Sequence, residues 1–391
     1  MTTQHDCTLS AALLEQIASQ GLDALPDLMR TIINAAMEAE RQQHLGVGRY
    51  ERSPERRGYA NGFKPKTMTT RVGEVTFAVP QVRDGSFYPS ALERGLRSER
   101  ALTLALAEMY VQGVSTRRVA AITEQLCGVE LSSSQVSRAT AQLDPILEQW
   151  RTRSLGEITY LYLDARYEKV RQDGQVRDAA VLIATGVNRA GRRQVLGVSV
   201  SLSEQEVHWR QFLQGLVARG LAGVQLVISD AGYPLGDGLQ AARRAVFGGV
   251  PWQRCQFHLQ QNAGAYVPRQ EQRAEVAADI RAIFTALNRH EADTLLAKTV
   301  QKYAKTAPRL STWLETAIPE GLTVFAFPAA HRRLLRTTNG VERLNKEIRR
   351  RTRVVSIFPN EASCLRLVSA ILMEISEDWE TGKTYLTFEA A

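Results

Sequence analysis

Three carboxylates are placed where they could do chemistry. Asp164 closes the apolar run ITYLYLD, Asp230 closes VQLVIS, and Glu342 lies at the start of a predicted helix in NGVERLNKEIRRRTRVV. In an open α/β sheet ligands gather outside strand ends, so an acid where a hydrophobic strand surfaces is positioned to meet one. If the two strands are neighbours, repulsion between Asp164 and Asp230 raises at least one pKa unless a cation neutralises them. A divalent metal ion is then the natural third party. Glu342 would complete the set from a helix beside the sheet. Each acid also has an ordinary use: Asp164 as a turn former, Asp230 as a cap on the following helix, and Glu342 as a first-turn acid gaining about 0.3–1 kcal/mol from the helix dipole.

The surroundings of Glu342 sharpen the choice. Arg332 to Arg353 holds nine Lys or Arg and two acids. On a helix, Glu342, Asn345, Lys346, Arg349 and Arg353 share a face, at i, i+3, i+4, i+7 and i+11. That face would let the acid meet a metal while Asn345, Lys346, Arg349 and Arg353, with the neighbouring Arg343, grip a phosphate backbone. A solvated basic helix with one dipole-stabilised acid has the same pattern.

The elements that must position these residues follow from periodicity. Residues 1–45 form an N-terminal helical region, broken near Gly21 and Pro26. Residues 46–100 form a small β-rich basic module, and residues 41–100 hold twelve Lys or Arg against six acids. Tyr50, Tyr59, Phe63, Phe77, Phe87 and Tyr88 are interleaved there, which suits either phosphate contact with base stacking or an ordinary small core. Residues 101–150 have helix-turn-helix proportions, with a helix capped at Ser115, a turn at Gly128 and a second helix capped at Ser132 or Ser133. Ser134, Gln135 and Arg138 would then stand near base edges. Residues 151–263 read as three consecutive strands, a helix, a strand, a helix and a strand, the order of a ribonuclease-H-like sheet. No Gly-rich turn follows the first strand, as a dinucleotide-binding unit would need. Residues 264–330 form a helical insertion, and 331–391 supply the last helices of that core. The fold class is therefore α+β and multidomain: a ribonuclease-H-like mixed α/β catalytic domain with an all-α insertion, preceded by helical and small β DNA-binding modules.

At 391 residues and 44% hydrophobic content the chain has ample material for several cores. No run of about 18 apolar residues occurs, and Met1 to Leu9 carries no basic apolar leader, so a cytoplasmic address and no membrane partner are expected. A formal charge of +8 favours a polyanionic partner. Cys7, Cys127, Cys255 and Cys364 are far apart, as befits reduced thiols. Cys255 and His258 make half of a zinc-like spacing, but His208, His290 and His331 are isolated along the chain, so no zinc is expected. Trp313 is expected as a core side chain rather than a base-stacking one.

YLYLDARYEKVR, VISDAGYPLG, WQRCQFHLQQN and TTNGVERLNKEIRRRTRVVSIFPN resemble, in order and spacing, the signature blocks of bacterial insertion-sequence transposases of the mutator family. RRGYANGF and TRVGEVTFAVPQVRDGSFYP are similar to that family's N-terminal DNA-binding part. The resemblance implies an Asp-Asp-Glu triad of Asp164, Asp230 and Glu342 holding two Mg²⁺ or Mn²⁺ ions, with Asp164 bridging them. It also implies a Cys255–His258 pair supporting the active-site wall, a homodimer on DNA, and terminal inverted repeats and target DNA as partners in the bacterial nucleoid. Such an enzyme cleaves phosphodiester bonds at element ends and joins the 3′-OH ends to DNA. Ala231-Gly232-Tyr233 departs from the Gly-His-like pair expected after the second Asp. A DNA-binding regulator or inactive domesticated relative, and a structure-specific nuclease of the same fold, are the alternatives that do not need all of these features.

Overall fold

The computed structural model describes residues 11–388 except 49, 93, 95–97, 204 and 231–236. It divides into two compact units, Met1–Gln142 and Leu143–Ala391.

In the first unit, helices α1 (Ala11–Gln20) and α2 (Leu25–Leu45) precede a hairpin of β1 (Ala60–Thr70) and β2 (Gly73–Val82). The strands pair antiparallel from Thr70↔Gly73 outward across a two-residue turn. Alternation places Val75, Phe77 and Val79 of β2 on one face, where they bury with Met37 of α2, Met68 and Leu92. The interleaved aromatics divide accordingly. Phe77 is core, whereas Tyr59 and Phe63 stay exposed under guanidinium groups, Arg56 and Arg83 over Tyr59 and Arg41 over Phe63.

Helices α3 (Arg100–Val111), α4 (Thr116–Cys127) and α5 (Ser133–Thr140) close around Leu102, Leu106, Val119, Val136 and Ala139. Ser115 caps α4 by accepting from the Arg118 N–H, and Gly128 ends it at φ +61, where a residue with Cβ would be strained. Ser132 and Gln135 form a reciprocal capping box at α5.

The second unit opens with α6 (Asp144–Thr152), held by a two-pronged Arg366–Asp144 ion pair to α15 (Glu361–Thr381). This helix thus falls outside the helix-turn-helix module that was expected to run to residue 150. Its sequence is amphipathic like its predecessors, and only the partner of its apolar face tells the two assignments apart.

A five-stranded mixed sheet follows: β3 (Ile158–Gln172), β4 (Gln175–Asn188), β5 (Arg193–Ser201), β6 (Leu226–Ser229) and β7 (Trp252–Arg254), in the order β5-β4-β3-β6-β7. The first three strands pair antiparallel, while β6 lies parallel to β3 and β7 parallel to β6. One face is sealed by α7 (Glu206–Ala218) and α8 (Asp237–Val246), where Trp209, Leu213 and Leu216 meet Leu161, Leu163, Leu182 and Val227. Helix α9 (Gln256–Ala263) leaves β7 and leads into α10 (Arg273–Phe284), α11 (Arg289–Tyr303) and α12 (Pro308–Ala317). Trp313 of α12 is half-buried, stacked on Tyr266 at 5.2 Å between ring centroids. The chain then returns through α13 (Ala329–Leu335) and α14 (Asn339–Thr352) to α15.

The period of two along β3 decides what these last helices meet. Leu161 and Leu163 face α7 and α8. Tyr160, Tyr162, Asp164 and Arg166 point the other way: Tyr160 bonds His331 and Tyr162 donates to the Leu334 carbonyl, both on α13, while Asp164 and Arg166 reach Asn345 of α14. Among the described residues no helix is long and apolar enough to cross a membrane.

Candidate metal centre

Asp164 does not end its strand. β3 runs on to Gln172 as a long hairpin with β4, because Val170 and the residues around it pair with β4 although the apolar run has stopped. What ends beside Asp164 is its other neighbour: the last β3–β6 pair is Leu163↔Ser229, and Asp230 is the next residue of that chain. Both carboxylates therefore emerge at one line across the sheet, where the parallel ladder gives out. The Ala231-Gly232-Tyr233 segment lies outside the described residues.

Glu342 arrives on the first turn of α14, and a buried linkage fixes where that turn starts. Cys255, at the β7–α9 junction, accepts hydrogen bonds on Sγ from both the N–H and the hydroxyl of Thr338, each 3.4 Å. The Thr338 carbonyl in turn accepts from the N–H of Glu342 at 3.0 Å. One turn on, Asn345 donates to Asp164 Oδ2 at 2.5 Å. The helix is thus pinned to β3 and to the β7–α9 corner at once.

His258 stands between the acids. Its Nδ1 is 3.7 Å from Asp230 Oδ2 and its Nε2 is 3.9 Å from Glu342 Oε1. A hydrogen bond with Cys255 raises its pKa most; burial opposes this, but the charges of Asp230, Cys255 and Asp164 support it, and the imidazole titrates at about 9. Burial pushes the Cys255 thiol up, yet hydrogen bonds from His258 and Thr338 outweigh it and the net shift is downward. At neutral pH an imidazolium therefore occupies the centre of the acid cluster. Its positive charge does there what a bound cation would do.

Cys255, His258 and Glu342 offer ligand atoms all within 4.8 Å of one another, a group that could hold a metal ion. The half-spacing Cys-x-x-His finds its third donor in Glu342, some 84 residues downstream of His258 and invisible to a count of nearby Cys and His. Three buried polar atoms at this site have no hydrogen-bond partner among the described residues: Glu342 Oε1, His258 Nδ1 and Asn345 Oδ1. Leaving such atoms unmatched costs about 1–3 kcal/mol each, and a cation at this site would offset that cost for the two oxygens, Glu342 Oε1 and Asn345 Oδ1. The oxygens of Asp164, Asp230, Glu342 and Asn345 suit a hard cation, while Sγ is already committed to hydrogen-bond donors.

Burial pushes the Asp164 carboxyl up to about 7, with Asp230 adding to the shift and His258 and Asn345 opposing it. A folded pKa above the ordinary value of 3.8 means that the folded chain holds a proton the unfolded chain has lost between about pH 4 and 7, so stability falls as pH rises through that window. Asp164→Asn removes the penalty. In metal-free buffer at pH 8 it is expected to stabilise the protein by about 2 kcal/mol, below the ceiling of about 4 kcal/mol that three pH units allow. Thermal melts at pH 5 and 8 in chelator test this, and a gain that did not grow with pH would refute it.

The other residues expected at a DNA-facing site are distributed differently. Gln135 and Arg138 lie on α5 of the first unit. Arg138 is exposed, but Gln135 Oε1 accepts from the Ser132 N–H at 2.7 Å and is engaged in its own helix cap. On α14 the expected single face is split: Asn345 turns to Asp164, Lys346 is exposed, and Arg349 lines a groove of about 660 Å³ with Arg166, Thr352 and Arg353, the last just past the helix end. Arg343 lines a separate pocket. Sequence reasoning missed Arg166, whose Nη1 donates to the Asn345 carbonyl at 2.6 Å and whose Nη2 pairs with Glu168 at 2.5 Å. Its place two residues after Asp164, on the same strand face, was the available signal.

The profile of the family described as Transposase, Mutator family matches residues 1–382. The chain is 60% identical over 380 residues to the transposase for insertion sequence element IS406 of Burkholderia multivorans, covering 97% of this chain and 96% of that one. It is 44% identical over 390 residues to the transposase for insertion sequence element ISRM5 of Rhizobium meliloti, covering 100% and 96%. It is 36% identical over 398 residues to the transposase for insertion sequence element IS256 in transposon Tn4001 of Staphylococcus aureus, covering 99% and 100%. With an acid pair at one sheet line, a third acid pinned beside it and full-length similarity of this order, the chain belongs to the Mutator family of transposases.

Proposed function

We propose that this protein binds the ends of its own insertion sequence, cleaves phosphodiester bonds there and joins the 3′-OH ends to target DNA, using a ribonuclease-H-like second unit with Asp164, Asp230 and Glu342 as ligands of two Mg²⁺ or Mn²⁺ ions. The observation that carries the reading is the meeting of these acids around His258 while Glu342 Oε1 remains unmatched. When bound, such ions supply an activated water and neutralise the departing oxyanion. The chain's own residues prepare that site. Asn345 holds the Asp164 carboxyl by Oδ2, and the Ala165 N–H also bonds that group. The His258 imidazolium keeps the acids from repelling one another before a cation arrives, and the Thr338–Cys255 linkage keeps Glu342 from drifting with its helix. Arg349 and Arg353 line a groove that suits a strand's phosphates. No protein nucleophile is required.

The first unit serves end recognition in this reading, with Arg138 exposed on the second helix of a helix-turn-helix and the Arg-covered aromatics Tyr59 and Phe63 on the hairpin. Two copies pair two element ends, in the cytoplasm where the nucleoid lies. The test incubates purified protein with its element ends and a plasmid, with Mg²⁺ or with chelator. Free 3′-OH ends and joined products are expected only with Mg²⁺, and end binding without cleavage in any divalent metal would favour a regulator.

A further inference from the structure

A second site borders the first turn of α14, the helix that carries Glu342. A cavity of about 440 Å³ is lined by Arg193 of β5, Arg333 of α13, Arg336 just after it, Asn339 and Arg343 of α14, and Tyr385. That volume lies within the roughly 300–1,000 Å³ range of ligand pockets. Among the described residues none of the four arginines makes an ion pair, whereas elsewhere in this unit Arg351, Arg366 and Arg254 each hold a carboxylate. Four cations converge without an anion.

Arg193 is held for a purpose that stacking alone does not explain. Its guanidinium carbon lies 4.2 Å from the Trp379 ring centroid and 4.4 Å from that of Tyr385. The two rings fix its plane and leave its N–H edge as the part able to meet a ligand. Burial presses its pKa down and Arg343 adds to that pressure, with Tyr385 opposing; an incoming anion relieves both burdens. The position of Tyr385 is set by Gly191, whose carbonyl accepts from the N–H groups of Tyr385 and Leu386 and whose φ of +72 and close approach leave no room for a side chain: a Cβ would fall 1.6 Å from the Leu386 oxygen. Arg193 Nη1 and the Tyr385 hydroxyl both come within 4.0 Å of the spot where a Cβ on Gly340 would stand, so the fork of Arg193 reaches the first turn of α14. The positive end of a 14-residue helix faces the same space. Glu342 is two residues further along.

We infer that this pocket grips one phosphodiester of the DNA strand, within a few nucleotides of the bond that the acid site cuts. The claim rests on the proposed function and adds residues it did not use, Arg193, Arg333, Arg336 and Tyr385. A planar fork locked between rings, flanked by flexible guanidiniums, fits a bidentate phosphate contact. Its role is to fix the register of the strand against Glu342.

The test uses the full chain and a short duplex of the element end in chelator, so that binding is read without cleavage. Single neutral methylphosphonates replace each phosphate near the scissile one, and affinity is measured by fluorescence anisotropy for the wild type and for Arg333→Gln/Arg336→Gln. In the wild type one position is expected to weaken binding about tenfold. The double variant should bind unmodified DNA about tenfold more weakly, show no further loss at that position, and have a salt slope smaller by about 1–2. Arg343→Gln is scanned alongside, so the outcome does not hang on one variant's folding. Superimposable scans for wild type and variants would overturn the proposal. So would binding of millimolar deoxynucleoside monophosphate, lost in Arg333→Gln/Arg336→Gln, that leaves the affinity for the oligonucleotide unchanged, which would make this a site for free nucleotides. End binding with the expected scan but no cleavage in any metal would sink the proposed chemistry and leave the pocket standing; cleavage with superimposable scans would do the reverse.

Discussion

Asp164→Asn, Asp230→Asn and Glu342→Gln are each expected to abolish cleavage and joining of end DNA by on the order of 10³-fold or more, while binding to that DNA survives. The magnitude corresponds to about 4 kcal/mol of transition-state stabilisation, the scale that a lost ligand to a catalytic cation removes. Retained binding follows because the amide swaps keep the shape of each side chain and remove negative charge that repels phosphate. Asp164→Asn should even preserve the contact to Asn345, since a rotated amide still presents an oxygen to Nδ2. Glu342→Gln leaves the Thr338–Cys255 linkage untouched, so its loss of activity would be chemical and not a shift of α14. Gel assays of strand cleavage and strand transfer, with binding measured on the same preparations, separate the outcomes. Any variant that still cuts removes its residue from the proposed centre.

The second large effect concerns the helix that carries Glu342. Arg351, 5% exposed, sends Nη1 and Nη2 to the two oxygens of Glu374 on α15 at 2.6 and 2.9 Å, and Nε to Glu347 at 2.8 Å. Breaking a buried pair by deleting one partner costs about 3–5 kcal/mol, because the remaining charges lose their counterpart. Both carboxylates here keep part of their solvent exposure, which moderates the cost, so about 3 kcal/mol is expected for Arg351→Ala. Arg351→Lys should recover only part of it, since an ammonium cannot form the fork. Arg350→Ala is the control. It breaks an exposed pair with the same Glu347 and should cost less than about 1 kcal/mol. Strand cleavage is expected to fall further in Arg351→Ala than in Arg350→Ala, because α14 loses its tie to α15 and Glu342 its fixed place. Denaturant melts of the three variants decide the matter: equal destabilisation by Arg351→Ala and Arg350→Ala would end this account of how the helix is anchored.

The amino-acid sequence by itself determined the local order: apolar runs with period two for the strands, a cap at Ser115 and another at Ser132 or Ser133, of which the structure chose Ser132, a mixed α+β chain, and three acids each attached to an element of recognisable type. These follow from short-range rules, since periodicity, capping and turn chemistry act within a few residues. Only the tertiary structure decided what depends on pairing and packing. β3 outlasts its apolar run because β4 pairs with it, so Asp164 meets Asp230 at the end of the β3–β6 ladder and not at the end of its own strand. The side of β3 that turns toward α14 makes Asn345 a partner of Asp164 instead of a free DNA contact. Residues 255 and 342 share one site because Thr338 bonds Cys255, and Arg193, Arg343 and Tyr385 share another because the chain's last described segment folds back on Gly191. Such contacts join side chains tens to hundreds of residues apart, and nothing in the spacing of a linear chain encodes which distant face each one will find.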